Sequence, residues 1–181
     1  MTGAEQRAAA VRLLVMDVDG VLTDGRLYFG ADGEALKVFD VRDGLGVKML
    51  REAGIEVAIL SSRSSPVVER RARELGIAPV VQGSTDKGAG FAALAQALRL
   101  APAQCGYIGD DWPDLAALAQ AGFAATVSDA SPEVKRISHW ISEAPGGRGA
   151  VRELAEFILR AQGHFGDVLR RHGGAETAGN A

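Results

Sequence analysis

Short apolar runs alternate with amphipathic helical patterns along most of this chain. The apolar runs lie at residues 11–18, 55–60, 79–81, 105–109, 124–128 and 139–142, and the helical patterns lie at 64–76, 87–100, 114–122 and 147–163. Such alternation is typical of parallel strands joined by crossover helices. The sequence therefore predicts one α/β domain over residues 11–163, with a doubly wound, Rossmann-like parallel sheet and helices on both faces.

Residues 26–39 interrupt this alternation. They contain two β-like runs on either side of Gly30-Ala31-Asp32-Gly33, which indicates a hairpin that projects after the first strand. Residues 164–181 are glycine-rich and hold few core-forming side chains. We expect this segment and residues 1–10 to be flexible termini.

Polar side chains follow the predicted strands at four places. They are Asp17 and Asp19; Ser61, Ser62 and Arg63; Lys87 at the start of a helical pattern; and Asp110, Asp111 and Asp114. Open parallel sheets form their sites beyond the carboxyl ends of the strands. We therefore expect these side chains to converge.

The four groups together supply what phosphoryl transfer needs. Carboxylates from two strands can hold Mg²⁺, a cation that prefers oxygen ligands. A serine hydroxyl and a lysine ammonium can bind phosphoryl oxygens, while two carboxylates can act as nucleophile and proton donor. Each group alone has a simpler explanation, such as an aspartate-rich turn, a solvated lysine or a capping hydroxyl. Their joint occurrence at strand ends favours catalysis.

The motifs that carry these groups resemble a known superfamily over residues 12–162. DVDGVLTDG at 17–25, SSR at 61–63, the lone Lys87 and GDDWPD at 109–114 resemble the four signature motifs of the haloacid dehalogenase phosphatases. The resemblance implies that Asp17 is the nucleophile and forms an aspartyl-phosphate. It implies that Asp19 is the general acid and base.

The same resemblance implies a magnesium site and a phosphoryl site. The metal would be held by the Asp17 carboxylate, the main-chain carbonyl of Asp19 and the Asp110 carboxylate. Ser61 and Lys87 would bind the transferring phosphoryl group. The remaining aspartates of the last motif, Asp111 and Asp114, would support the metal ligands by hydrogen bonds.

A cap domain, which usually selects the substrate in this superfamily, does not fit between the motifs. VFDVRDGLGVKML at 38–50 and GGRGAVRE at 146–153 resemble the capless, tetrameric 3-deoxy-D-manno-octulosonate 8-phosphate phosphatases. This resemblance implies a Mg²⁺-dependent enzyme of lipopolysaccharide biosynthesis, whose hairpins meet at the centre of a homotetramer. The substrate contacts that it carries over are Asp19, Asp40, Val41, Arg42, Asp43, Gly44, Lys48, Arg63, Arg71, Lys87 and Arg148, the last near a subunit boundary.

Two departures from that family leave alternatives open. Asp40 stands where many relatives have asparagine, and Ser61-Ser62 stands where they have threonine-glycine. Serine keeps the hydroxyl, but the extra anion of Asp40 leaves open a nine-carbon keto-sugar phosphate as the substrate. A non-catalytic receiver domain is a second alternative, although its phosphoacceptor aspartate lies on a later strand than its acidic pair.

Charge and composition exclude other classes of function. The net charge of −3 argues against a broad basic surface for nucleic acid. The chain lacks a signal-peptide core, and no apolar stretch approaches the roughly 20 residues that span a bilayer. The single cysteine, Cys105, excludes an internal disulfide and suits a reducing cytosol. We expect a cytoplasmic protein that acts on a small molecule.

Overall fold

The computed structural model describes residues 1–175, and a parallel sheet forms its centre. The strands are β1 Leu13–Met16, β4 Glu56–Leu60, β5 Val80–Val81, β6 Cys105–Ile108, β7 Phe123–Thr126 and β8 Trp140–Ile141, with a separate hairpin of β2 Tyr28–Gly30 and β3 Gly33–Leu36. The six sheet strands stand in the order β5-β4-β1-β6-β7-β8. Each of the six predicted runs overlaps one of these strands, and only β7 begins outside its run, one residue earlier, at Phe123.

The central position of β1 determines where the site forms. All four residues of β1 are buried, as a strand covered on both faces requires. Val15 pairs in parallel with Ala58 of β4 on one side and with Tyr107 of β6 on the other. These three strands therefore end at the same edge of the sheet, and the polar residues that follow them meet there.

Two groups of helices cover the sheet. The helices are α1 Gly3–Ala9, α2 Val41–Glu52, α3 Pro66–Leu75, α4 Lys87–Ala97, α5 Leu115–Gln120, α6 Pro132–Ile137, α7 Ala150–Ala161 and α8 Phe165–Arg171. Helix α7 packs against both α1 and α2, and α5 packs against both α4 and α6 in the second group. The fold is the predicted Rossmann-like α/β fold, and no cap domain interrupts it within the described residues.

The predicted hairpin is present, but it does not simply project. Gly33 has a φ of 113°, in the left-handed region that favours glycine, and this allows the tight turn. Beyond the second strand, Lys37 is buried and Phe39 packs against the core. Phe29, Leu36 and Val38 remain exposed. The base of the hairpin therefore lies against the domain that it leaves.

Both ends of the chain differ from the prediction of flexibility, because each carries a helix. Thr2 and Glu5 form a reciprocal capping box at the start of α1, and Ala8 is buried. At the other end, Phe165 and Val168 of α8 are buried. Residues 176–181, the remainder of the predicted flexible tail, lie outside the described residues. Among residues 1–175, no helix is long and apolar enough to cross a membrane.

Candidate active site

A cleft of about 210 Å³ opens at the edge where β1, β4 and β6 end. All four polar groups singled out in the sequence reach it. It is lined by Asp17, Asp19, Gly25, Ser61, Ser62, Arg63, Lys87, Asp110, Asp111, Pro113 and Asp114. The predicted convergence of these side chains is therefore present in one chain.

Lys87 lies buried between two carboxylates. Asp86 caps α4 by accepting a hydrogen bond from the Ala89 N–H at 2.9 Å, so the helix begins at Lys87. The Lys87 Nζ atom is 2.7 Å from Asp17 Oδ2 and 2.6 Å from Asp114 Oδ1. Burial acts to lower the pKa of this ammonium, but the charges of Asp17 and Asp114 outweigh it and the pKa is raised. Lys87 is therefore a fixed positive charge at neutral pH.

Asp114 is held by four donors. Its Oδ1 accepts from Lys87 and from the Tyr107 hydroxyl at 2.7 Å, and its Oδ2 accepts from the N–H groups of Asp110 at 3.0 Å and Asp111 at 3.2 Å. A carboxylate has about four acceptor positions, so hydrogen bonds within the protein occupy all the acceptor positions of Asp114. It anchors Lys87 and the loop that carries Asp110. The sequence reasoning missed Tyr107, because its place in an apolar run predicts only a buried strand residue.

Of the three clustered carboxylates Asp17, Asp110 and Asp114, the first two remain available to bind a metal ion. Asp17 Oδ1 accepts a hydrogen bond from the Val18 N–H at 2.7 Å, which fixes its orientation. Burial, and then the charge of Asp114, raise the pKa of Asp17 to about 7 and that of Asp110 to about 7. One carboxylate oxygen from each of Asp17, Asp110 and Asp114 lies within 4.8 Å of the other two. Crowded, buried carboxylates of this kind fit a hard divalent cation, which would keep them ionised.

Gly20 makes room for Asp110. Its φ is 88°, and a Cβ atom there would lie 2.1 Å from Asp110 Oδ2. A side chain cannot replace this glycine without displacing a carboxylate of the site. Glycine is thus required at position 20 of the DVDG motif for two reasons: its positive φ, and the close approach of the Asp110 carboxylate.

Ser61 follows β4 and is buried beside the cleft. Its hydroxyl oxygen accepts a hydrogen bond from the Arg63 N–H at 3.3 Å, and its carbonyl accepts from the Ser84 N–H at 3.1 Å. These contacts hold the turn that faces Lys87 across the cleft.

Asp19 faces the hairpin. Its carboxylate forms an ion pair with Lys37, and Arg63 Nε lies 3.8 Å from its Oδ2. Glu34 of β3 accepts from Arg63 at 2.9 Å and lies 3.3 Å from Lys37. The sequence reasoning missed Lys37 and Glu34, because neither belongs to a strand-end motif and only the folded hairpin brings them into contact with Asp19 and Arg63.

Six of the eleven predicted substrate contacts line the cleft or a depression near it. Arg63 and Lys87 line the cleft with Asp19, while Asp40, Arg42 and Arg148 line a neighbouring depression of about 380 Å³. The Asp40 carboxylate accepts from Arg42 at 2.8 Å, which lowers the pKa of Asp40, and Arg42 also donates to the Arg148 carbonyl at 2.8 Å.

The other predicted contacts do not line the cleft within one chain: Val41, Asp43, Gly44, Lys48 and Arg71. The Asp43 carboxylate is buried and accepts from the N–H groups of Gly149 at 3.2 Å and Arg152 at 2.9 Å, so it fixes the start of α7. Arg71 lies over the Phe39 ring, with 5.8 Å between its guanidinium carbon and the ring centroid. Lys48 lies beside Arg51 and Arg73 in a separate depression, and Val41 is exposed.

Comparison with known proteins identifies relatives over nearly the whole chain. Residues 40–122 match the family model of haloacid dehalogenase-like hydrolases. The 3-deoxy-D-manno-octulosonate 8-phosphate phosphatase of Yersinia pestis is 46% identical over 157 residues, which cover 87% of this chain and 84% of that protein.

Solved structures of phosphatases with the same name are also similar to this chain. The Moraxella catarrhalis phosphatase of that name, in complex with a magnesium ion, a phosphate ion and a KDO molecule, superposes with a TM-score of 0.92 at 41% identity, covering 95% of this chain and 99% of the other. The cobalt-bound phosphatase from Haemophilus influenzae gives a TM-score of 0.87 at 43% identity, covering 89% and 94%.

Proposed function

This chain belongs to the 3-deoxy-D-manno-octulosonate 8-phosphate phosphatases of the haloacid dehalogenase-like hydrolases, and we propose that it carries out their reaction: it hydrolyses 3-deoxy-D-manno-octulosonate 8-phosphate to the free sugar acid and phosphate. The observation that carries the proposal is the placement of Lys87 between Asp17 and Asp114, beside Asp110, at the edge where three parallel strands end. The site thus combines a carboxylate nucleophile, a fixed cation for the phosphoryl group and a second carboxylate for a divalent cation.

Mg²⁺ is the cofactor of this reaction, and its ligands would be the carboxylates of Asp17 and Asp110 with the main-chain carbonyl of Asp19. The raised pKa values of the two carboxylates fit this assignment, because an adjacent cation would offset their mutual repulsion. Asp114 is excluded as a ligand by its four protein donors. When bound, the ion neutralises charge on the phosphoryl oxygens.

The first chemical step forms an aspartyl-phosphate. A carboxylate oxygen of Asp17 attacks phosphorus in line with the sugar oxygen, whose bond to phosphorus breaks. Asp19 gives its proton to that sugar oxygen, which leaves as the alcohol. Lys87 and the Ser61 hydroxyl bind the transferring phosphoryl oxygens and stabilise the charge that spreads over them.

The second step releases phosphate and regenerates both carboxyl groups. Asp19, now a carboxylate, removes a proton from a water molecule whose oxygen attacks phosphorus. The bond between phosphorus and Asp17 breaks, and the Asp17 carboxylate is restored. Over the two steps, one water molecule and one phosphate ester give one alcohol and one phosphate.

The substrate has a phosphate at one end and a carboxylate at the other, and the cleft offers a cationic side chain for each. Lys87 serves the phosphoryl end, and Arg63 is the cation best placed in the cleft for the carboxylate end. Arg148 and Arg42 extend the positive surface into the neighbouring depression. Asp40 adds an anion there, and this observation keeps a nine-carbon keto-sugar phosphate as the second candidate substrate.

Assembly into a homotetramer is part of the proposal. The exposed fractions of Phe29, Leu36 and Val38 on the hairpin are 67, 51 and 50%, and that of nearby Val41 is 81%. A two-stranded ribbon with exposed apolar side chains is stabilised when these side chains pack against copies of the same ribbon. Arg71, Lys48 and Val41, which do not line the cleft of their own chain, would then be available to a neighbouring one.

A cytoplasmic location completes the proposal. Cys105 is buried in β6 as a free thiol, and burial raises its pKa. An unreactive thiol of this kind has no need of an oxidising compartment.

A panel assay of phosphate release tests the proposed function. The eight-carbon and nine-carbon keto-sugar phosphates are compared with p-nitrophenyl phosphate, each with Mg²⁺ and with EDTA. We expect the highest kcat/KM for the eight-carbon substrate and no turnover in EDTA. Preference for the nine-carbon ester would change the substrate assignment, and absence of turnover for all three would favour a receiver domain.

A further inference from the structure

The hairpin supplies a charged side chain that lies outside all four sequence motifs. Lys37 follows β3, and only 6% of its surface is exposed. A buried ammonium is costly unless anions accept its hydrogen bonds. Its partners are Asp19, with which it forms a direct ion pair, and Glu34 at 3.3 Å. Lys37 therefore contacts the residue that the proposed mechanism uses in both steps.

Asp19 and three other side chains form a closed ring of alternating charge. Lys37 links Asp19 to Glu34, Glu34 accepts from Arg63 at 2.9 Å, and Arg63 lies 3.8 Å from Asp19. The Arg63 side chain is 43% exposed, whereas that of Lys37 is 1% exposed. Solvent screens the contact from Arg63 and leaves the contact from Lys37 nearly unscreened. Lys37 is therefore the stronger constraint on the Asp19 carboxylate.

Asp19 needs one particular orientation. Its carboxyl group must reach the departing sugar oxygen in the first step and the attacking water in the second. A misplacement of about 1 Å in such a group can cost about a hundredfold in rate. We propose that Lys37 is a positioning residue that holds the Asp19 carboxylate in this orientation. The inference rests on the proposed two-step mechanism.

Direct binding of the substrate by Lys37 is the competing role. Its ammonium is enclosed by the protein, and both of its charged neighbours are carboxylates of the same chain. A substrate anion would have to displace one of them and move the hairpin. The closed ring favours positioning.

The test compares Lys37→Met, which keeps a similar length and removes the charge, with Lys135→Met on α6 as the matched control. For the keto-sugar phosphate, we expect Lys37→Met to lower kcat about a hundredfold, the lower end of what general acid–base catalysis contributes, with little change in KM. Lys135→Met should behave as the wild type. An increase in KM with kcat retained would overturn the proposal, because it would place Lys37 on the substrate.

Stopped-flow kinetics with p-nitrophenyl phosphate provide a second readout. Nitrophenolate leaves without a proton, so phosphorylation of Asp17 proceeds, but hydrolysis of the aspartyl-phosphate still needs Asp19 as a base. Lys37→Met should therefore release one nitrophenolate per site in a burst and then turn over slowly. Asp19→Asn is the reference for this behaviour, and the wild type and Lys135→Met should show no comparable burst.

The outcomes separate the inference from the mechanism on which it rests. A burst in Asp19→Asn with none in Lys37→Met would overturn the role of Lys37 alone. Absence of a burst in Asp19→Asn would overturn the two-step mechanism and the inference with it. Lys37→Arg, which keeps a cationic donor, guards against a folding defect: we expect it to recover part of the lost kcat, and equal loss in the two variants would contradict positioning by charge.

Discussion

The Tyr107 hydroxyl donates a hydrogen bond to Asp114 Oδ1, and the two atoms are 2.7 Å apart. The same carboxylate oxygen lies 2.6 Å from Lys87 Nζ, and Lys87 in turn lies 2.7 Å from Asp17. A residue inside β6 thus fixes, through Asp114, the cation that faces the nucleophile. This chain of contacts explains how a site of like charges stays ordered, because the carboxylates of Asp17 and Asp114 are held by donors that the fold has already placed.

Tyr107→Phe tests this chain of contacts. The change removes one donor from Asp114 and leaves the ring in the core, so we expect a loss of about 1 kcal/mol in the free energy of unfolding. Because Lys87 loses part of its support, kcat should also fall severalfold. Chemical denaturation and steady-state kinetics measure the two effects. Tyr28→Phe, at the only other tyrosine of the chain, is the control and should change neither.

The stability of the metal-free protein should depend on pH through Asp17 and Asp110. Burial raises both pKa values from 3.8 to about 7, so the folded protein retains protons that the unfolded chain has lost between those values. Stability therefore falls as pH rises through this interval. In EDTA, we expect a lower melting temperature at about pH 8 than at about pH 5, and Mg²⁺ should raise it more at the higher pH.

Asp110→Asn is the control for that experiment, because it removes one of the two titrating groups. The fall in melting temperature with rising pH should become smaller in this variant, and the effect of Mg²⁺ should weaken. A wild-type protein that gains stability over the same interval in EDTA would contradict the assignment of the two carboxylates.

Asp17→Asn and Asp19→Asn should affect the metal differently. Asp17→Asn replaces a nucleophile and a ligand by a weakly basic amide, so we expect no turnover and weaker Mg²⁺ binding. Asp19→Asn keeps the main-chain carbonyl that would bind the ion, so turnover should fall while Mg²⁺ affinity is largely retained. Calorimetric titration with Mg²⁺ measures the difference, and equal loss of affinity in both variants would show that the ligand assignment is wrong.

Gly20→Ala should damage the metal site without replacing any of its ligand residues. The new Cβ would lie 2.1 Å from Asp110 Oδ2, so the carboxylate must move. We expect a clear loss of Mg²⁺ affinity in calorimetry. Gly33→Ala is the matched control: its φ of 113° imposes the same kind of backbone strain, but no atom lies within 4 Å of its Cβ position. Similar Mg²⁺ affinities in the two variants would rule out the clash as the cause.

The sequence predicted the parts of the site that depend on single strands. Asp17, Ser61 and Asp110 follow buried parallel strands, and parallel register places their side chains at one edge without further information. Lys37 could not be predicted, because its position depends on how the hairpin folds back on the domain. The hydrogen bonds of Asp43 to the start of α7 could not be predicted either, because α7 is far away in sequence.

The terminal helices were missed for a different reason. Helices α1 and α8 have seven residues each, shorter than the about 12 at which isolated helices become marginally stable. Their stability comes from packing, as the burial of Ala8 and Phe165 indicates. Periodicity alone carries little signal over such a length, although the capping box at Thr2 and Glu5 was readable.

The last prediction concerns the outward face of the hairpin. Phe29 is 67% exposed, whereas Phe39 packs against the core, so Phe29→Asp can disturb assembly without disturbing the domain. We expect this variant to sediment as smaller species than the proposed tetramer and to keep its far-ultraviolet circular dichroism. Since a neighbouring subunit would close the cleft, its KM should rise more for the keto-sugar phosphate than for p-nitrophenyl phosphate. Ile137→Asp, at an exposed apolar position on α6, controls for the added charge and should leave assembly unchanged. A wild-type protein that sediments as a fully active monomer would show that the hairpin does not serve assembly, and the unpaired apolar face would then require another explanation.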